Sequence, residues 1–214
     1  HADVFDFLRG LLGSLVVALL IRLATGPKTP RRIAAHLLAS LALTAWPLME
    51  AAPYAADVAD ELRRFPVLCD FRSPWQTTRW ACADAEVRYA ASTEEDATPA
   101  GRIILYCPHS AAVLYPLVRD WNGRRHLCLE CSTEGPPAEV TVAIASSSAD
   151  GIVLRTFSGD FGPEVRRWTI DLEAAVAEDG QPALDLGRVI CLGLAVEDKN
   201  MRPRELRVRK IWLE

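Results

Sequence analysis

Residues 138–146 read AEVTVAIAS. Val140, Val142 and Ile144 recur at every second position, with Glu139 and Thr141 between them. Successive side chains of an extended strand point to opposite faces, so this spacing makes one apolar row and one polar row. A helix would scatter the same residues around its circumference. The stretch predicts a half-buried antiparallel strand.

The same period returns on either side. In RRWTIDL (166–172), Trp168, Ile170 and Leu172 face one way, and Arg167, Thr169 and Asp171 the other. RVICLGLAVE (188–197) is apolar at nearly every position and predicts a central strand covered on both faces. RELRVRKIWLE (204–214) alternates through Leu206 and Val208, then changes phase to Ile211 and Leu213. A β-bulge near Arg209–Lys210 absorbs that change. STEEDATPAG, WNGR, TEGPPAE, SADG, GDFGPE and EDGQPA supply turns between the runs. Region 67–214 therefore predicts about eight to ten strands in a two-sheet sandwich or jelly roll.

The first quarter of the chain differs. Between Gly10 and Ala56 the only charged residues are Arg22, Lys28, Arg31, Arg32 and Glu50. Two apolar runs, Gly10–Ala24 and Ile33–Tyr54, flank the connector TGPKTPRR. The second is long enough to span a bilayer, and the first becomes so if Val4–Arg9 extend it. Trp46 and Tyr54 suit the far interface, and Arg22 can snorkel. We expect a two-helix transmembrane hairpin over 1–54. Its basic tip lies in the cytoplasm, because short loops rich in Lys and Arg stay inside. A buried hairpin and a signal peptide are the alternatives, the latter disfavoured by Asp3, Asp6 and the second run. YAADVADELRRF (54–65) places Val58, Leu62 and Phe65 on one helical face and predicts an amphipathic stalk over 55–66, ended by Pro66. The chain opens on His1, and its start reads as that of a fragment.

Two resemblances follow from quoted residues. ADVFDFLRGLLGSLVVALLIRL (2–23) resembles the last membrane helix of VanZ-like proteins through Asp6, Gly10 and Gly13. It departs with Arg9 where Asn is usual and with closer glycines. That resemblance implies a membrane protein, linked in its family to teicoplanin resistance, without a defined chemistry. The stretches VLCDF, SPWQ, LYPLVRDWNGRRHLCLEC, VLRTFSGDFGPEVRRWTIDL and LRVRKIWLE resemble the galactose-binding-like jelly rolls, many of them carbohydrate-binding modules. There an opening D-F strand pairs near the closing strand, and Asp120, Trp121, Asn122 and Gly123 match a D-W-[SN]-G turn.

Chemistry-bearing residues are sparse. Cys128 and Cys131 in CLEC point to opposite faces of a strand, so they cannot chelate one metal. They read as buried, with Cys131 inward beside Leu127 and Leu129. Cys69 and Cys191 are the first pair to test for a disulfide. Cys107, His109 and Ser110 in CPHS read as a turn, and no G-x-S-x-G is present. No basic stripe interleaves with aromatics, which argues against nucleic acid.

Sugar recognition needs exposed rings with polar neighbours. Trp75, Trp80, Arg155, Phe157, Asp160 and Phe161 are the candidate ligand-binding residues, with Arg155 and Phe157 opposite Leu154. Trp121 and Trp212 belong to the core, and Trp80 and Phe157 have a core or rim reading as well.

The expected protein is mainly β: a jelly-roll sandwich over 67–214, on a stalk and a transmembrane hairpin. It is an integral membrane protein with its C-terminal domain extracytoplasmic, in contact with lipid and an envelope glycan or cell-wall polymer. It is non-catalytic and has no cofactor. Whether calcium stabilises the sandwich stays open, as does the oligomeric state. A structural or partner-binding sandwich is the alternative, and an envelope hydrolase ranks third.

Overall fold

The computed structural model describes residues 30–92, 98–107, 109–148, 151–176, 183–197 and 203–214, together with 14, 17, 18 and 21. Strand β7 (Ala138–Ser148) confirms the opening reading: Val140, Val142 and Ile144 are buried and Glu139 is exposed. It pairs with β8 (Gly151–Phe161) on one side and β10 (Val189–Glu197) on the other. Beyond β10 lie β5 (Ala111–Leu114) and β2 (Trp80–Ala83), completing a five-stranded antiparallel sheet in the order β2-β5-β10-β7-β8. β10 is central, as its composition predicts. Its outer face is half-buried rather than covered, because Cys191, Gly193 and Ala195 are small.

The second sheet has six strands. β3 (Ala85–Ala90), β4 (Ala100–Leu105), β11 (Arg204–Leu213), β6 (His126–Thr133) and β9 (Arg166–Asp171) run in that spatial order, and β1 (Val67–Cys69) pairs with β11. Pairing of the opening strand with the closing one is the arrangement the jelly-roll resemblance implies. The register of β11 against β6 shifts between Val208 and Lys210, where the bulge was expected. Val208 and Ile211 are both fully buried on either side of it.

The facing rows of the two sheets make one core, including Ile103, Leu129, Ile170 and Leu206 from one sheet and Leu114, Ile144, Leu192 and Leu194 from the other. Trp121 is a fully buried plug whose indole N–H donates to Val118 O at 3.0 Å. The turn it opens closes with Arg124 N donating to Trp121 O at 3.1 Å, and Gly123 adopts φ +75°. Eleven strands among the described residues exceed the expected count, because three- and four-residue strands such as β1 and β2 carry too little alternation to read.

Helix α1 spans Pro30–Arg64, so the second apolar run and the stalk are one continuous helix. Among the described residues no helix is long and apolar enough to cross a membrane. The first apolar run lies, apart from residues 14, 17, 18 and 21, outside the described residues. The chain divides into two compact units, His1–Ala56 and Asp57–Glu214. In the first, Leu38, Leu41 and Met49 of α1 are exposed. In the second, the last helical turns bury Glu61 at 6% exposure, whereas Leu62 is 49% exposed. This corrects the expected apolar face. Glu61 turns inward because the buried Arg79, at the end of the 3-10 helix Pro74–Arg79, donates to its Oε1 at 2.5 Å and to Leu68 O at 3.0 Å.

All six cysteines are free. Cys69 and Cys191 stand in different sheets, and the Cys69 thiol donates to Gln76 Oε1 at 3.4 Å. Burial pushes the Cys69 and Cys131 thiols up to about 12, which keeps them unreactive. Cys128 is also buried, on the opposite face of β6 from Cys131, and accepts from Arg167 Nη2 at 3.3 Å.

Candidate functional site

The outward row of the six-stranded sheet carries its chemistry. Leu206 and Val208 point into the core, so period two turns Glu205 and Arg207 outward. Ile103 and Leu105 do the same for Arg102 on β4. Register then sets Arg88 opposite Arg102, Arg102 opposite Arg207, and Arg207 opposite Ser132, a row across four strands. Over this row lies a groove of about 590 Å³, lined among others by Arg102, Ser132, Glu134, Glu205, Arg207 and Arg209.

Like charges directly opposite one another destabilise a sheet unless counter-charges intervene. Here carboxylates are interleaved. Arg88 forks onto Glu86 through Nε (2.6 Å) and Nη2 (2.7 Å), and Tyr106 donates to the same carboxylate at 2.9 Å. Arg102 forks onto Glu205 at 2.5 and 2.6 Å, and the carboxylate of Glu134 stands 3.8 Å from Arg102 Nη2. Burial would raise the Glu205 carboxyl, but the hydrogen bonds and charge of Arg102 outweigh it and hold Glu205 below the usual carboxylate range. Arg102 and Glu205 therefore form a fixed, ionised pair in the groove, with the exposed side chain of Glu134 beside them.

A smaller depression of about 270 Å³ shares Pro163 with the groove. Asp160, Phe161, Glu164 and Arg166 help to line it, so two of the six ligand candidates from the sequence meet there. The other four lie elsewhere. Trp75 is 39% exposed on the 3-10 helix. Trp80 is buried and stacks on Phe71, ring centroids 6.0 Å apart. Arg155 is buried, Phe157 packs against the core, and Leu154 is exposed. The alternation of β8 is as expected, but Val153, Phe157 and Phe161 draw their row inward and carry Arg155 with them. Phe161 itself is 3% exposed and leans on Trp168 at 5.5 Å, so it shapes the depression from beneath.

The groove residues Arg102, Glu134, Glu205, Arg207 and Arg209 were not singled out from the sequence. Their outward direction is legible in RELRVRK, whose arginines alternate with apolar residues. Their assembly depends on strand order, which a single sequence does not contain.

Other constellations are occupied structurally. Trp212 lies on the outward row of β11, not in the core as expected: its exposure is only 9% because Arg167 (5.0 Å) and Lys210 (4.8 Å) cover its ring. Ser110 Oγ donates to Asp84 O at 2.6 Å and accepts from Cys107 N at 2.8 Å, so the Ser110 hydroxyl is taken up in local structure. Among the described residues no cluster of three or more His, Cys, Asp or Glu side chains is arranged to hold a metal ion.

No family model matches the chain, and no curated protein is similar to it in sequence. Solved structures are similar in fold. One is the family 11 carbohydrate-binding module from Clostridium thermocellum, in complex with a β-1,3-1,4-mixed-linked tetrasaccharide. The TM-score is 0.54 at 14% identity, covering 69% of this chain and 93% of that one. An exo-β-agarase structure is similar with TM-score 0.54 at 14% identity, covering 69% of this chain and 24% of that one. The C. thermocellum xylanase 10B, in its CBM22-1 and GH10 modules complexed with xylohexaose, gives 0.50 at 8% identity over 69% of this chain and 28% of that one. At such identities the likeness is one of fold: an antiparallel two-sheet sandwich of the kind carbohydrate-binding modules adopt.

Proposed function

We propose that the sandwich is a non-catalytic module that binds an envelope glycan or cell-wall polymer along the groove of its six-stranded sheet. The observation that carries this reading is an open, polar groove on a sandwich whose fold neighbours include modules solved with oligosaccharides bound. Sugar hydroxyls are both donors and acceptors, and the groove presents the Arg102 guanidinium fixed beside the Glu205 carboxylate. Because these groups already hold each other in place, little side-chain freedom is lost on binding.

Affinity for a short saccharide is expected at about 10 μM to 1 mM, roughly 4–7 kcal/mol. A glycan array probed with the full chain tests the reading, and failure to bind any saccharide class overturns it.

The proposal also places the first unit at a lipid bilayer with the sandwich outside the cell. The basic connector and the exposed Leu38, Leu41 and Met49 support this. Cys82, exposed in β2, should then react with an impermeant maleimide in intact cells. Labelling that appears only after lysis reverses the placement.

Ile152 and Leu154, 73% and 56% exposed on β8, favour a second reading in which the sandwich docks a protein partner. Replacing both with Ser would then abolish partner capture and leave glycan binding unchanged.

A further inference from the structure

We propose that the ligand of the groove is an acidic glycan, one bearing carboxylate groups, and that its carboxylate replaces Glu134 beside Arg102. This inference rests on the glycan-binding reading above and names the chemical class it selects.

Three observations carry it. First, the groove lining contains no Trp, Tyr or Phe among the described residues, so a neutral pyranose finds no ring to stack on. Recognition falls to charge and hydrogen bonding instead. Second, among the described residues the lining gathers three guanidiniums, Arg102, Arg207 and Arg209, with the carboxylates of Glu134 and Glu205, in a chain whose formal net charge is −4. Arg102 and Arg207 are opposed across neighbouring strands, about 4.8 Å apart in the sheet. Planar guanidinium forks match carboxylates in two parallel hydrogen bonds, which an ammonium cannot do.

Third, the two resident carboxylates are held differently. Glu205 is locked in the fork of Arg102 with its side chain 16% exposed. Glu134 stands 3.8 Å away with its side chain 71% exposed. It sits on the turn after β6, hydrogen-bonded through its side chain to Glu205 but largely exposed, and moves into solvent when a ligand carboxylate takes its place.

The test measures binding of the full 214-residue chain to polygalacturonate, to its fully methyl-esterified form and to dextran sulfate. The acid form should bind at least about ten-fold tighter than the ester, with the difference shrinking as salt rises. Equal binding of acid and ester overturns the acidic class while leaving the glycan-binding reading intact. Tighter binding of dextran sulfate than of polygalacturonate overturns the carboxylate assignment. Binding to none of the three, nor to any neutral glycan, overturns both readings.

Variants locate the site. Arg207→Gln should weaken polygalacturonate binding by about five-fold or more, and Arg207→Lys should fail to restore it, because Lys keeps the charge but lacks the fork. Full rescue by Lys overturns the fork. Glu134→Gln should tighten binding two-fold or more, since an amide competes less for Arg102, and unchanged or weaker binding overturns displacement. Melting temperatures of the variants distinguish these effects from misfolding.

Discussion

Gly101 of β4 lies against the fully buried ring of Phe71, and a Cβ built there would run into the ring carbons. Phe71 is held at φ +50°, so neither partner can yield without disturbing the loop after β1. Gly101→Ala should therefore cost about 3 kcal/mol by overpacking. Phe71→Leu in the same chain should recover part of that loss, as read from urea unfolding of the two single variants and the double. Simple addition of the two single effects would mean that the ring is not the obstacle.

Glu61 makes the second prediction at this scale. Burial pushes its carboxyl from the ordinary 4.5 up to about 7, against the opposing pull of Arg79. A raised acid holds its proton more tightly in the folded chain than in the unfolded one. Its contribution is thus fully present below pH 4.5 and is lost as pH rises through about 7. The swing is on the order of 3 kcal/mol. Stability of the wild type should fall relative to Glu61→Gln between pH 4.5 and 7.5 in paired denaturation curves. A wild type that gains over the variant in that window would show that Arg79 keeps the carboxylate ionised. Asp70 acts in the opposite sense: burial would raise it, but Arg64 and Gln76 hold it down, so its contribution is lost on the acid side.

Among the elements, β11 is the most informative. β4 pairs with it over Arg204–Val208 and β1 over Ile211–Trp212, so its neighbour changes at the bulge. Without Arg209 the remaining residues alternate without interruption: Leu206, Val208, Ile211 and Leu213 inward, Arg207, Lys210 and Trp212 outward. Deleting Arg209 should therefore leave the chain folded, within about 2 kcal/mol of wild type. Deleting Arg207 instead throws Leu206 and Val208 onto opposite faces and should abolish cooperative unfolding. Circular dichroism during thermal melting separates the outcomes, and an unfolded Arg209 deletion would mean that the neighbour change itself requires the bulge.

Over the whole molecule, the boundary of the sandwich depends on one buried contact, the hydrogen bond from Arg79 to Glu61. Arg79 and Glu61 have side chains only 7% and 5% exposed. A fragment beginning at residue 67 removes Glu61 and leaves Arg79 buried without its partner. Stranding a buried guanidinium charge this way costs about 3–5 kcal/mol. A fragment 57–214, the second compact unit, should thus unfold cooperatively as a β protein and be more stable than 67–214 by about that amount. Equal urea midpoints and slopes would show that the last turns of α1 contribute nothing.

The alternation of β7, β9 and β11, the bulge, the WNGR turn and the core position of Trp121 were all determined by sequence, because burial in a strand leaves a period of two that local reading detects. What tertiary structure alone decided is of another kind. Both alternating rows of β8 carry apolar residues, so only packing against Val142 and Ile144 settles that Phe157 and Arg155 turn inward. Glu61 faces the interior through a partner eighteen residues away. The groove joins residue 102 to residue 205 because β4 and β11 are neighbours in space. Such proximity comes from long-range strand pairing, and no local period records it.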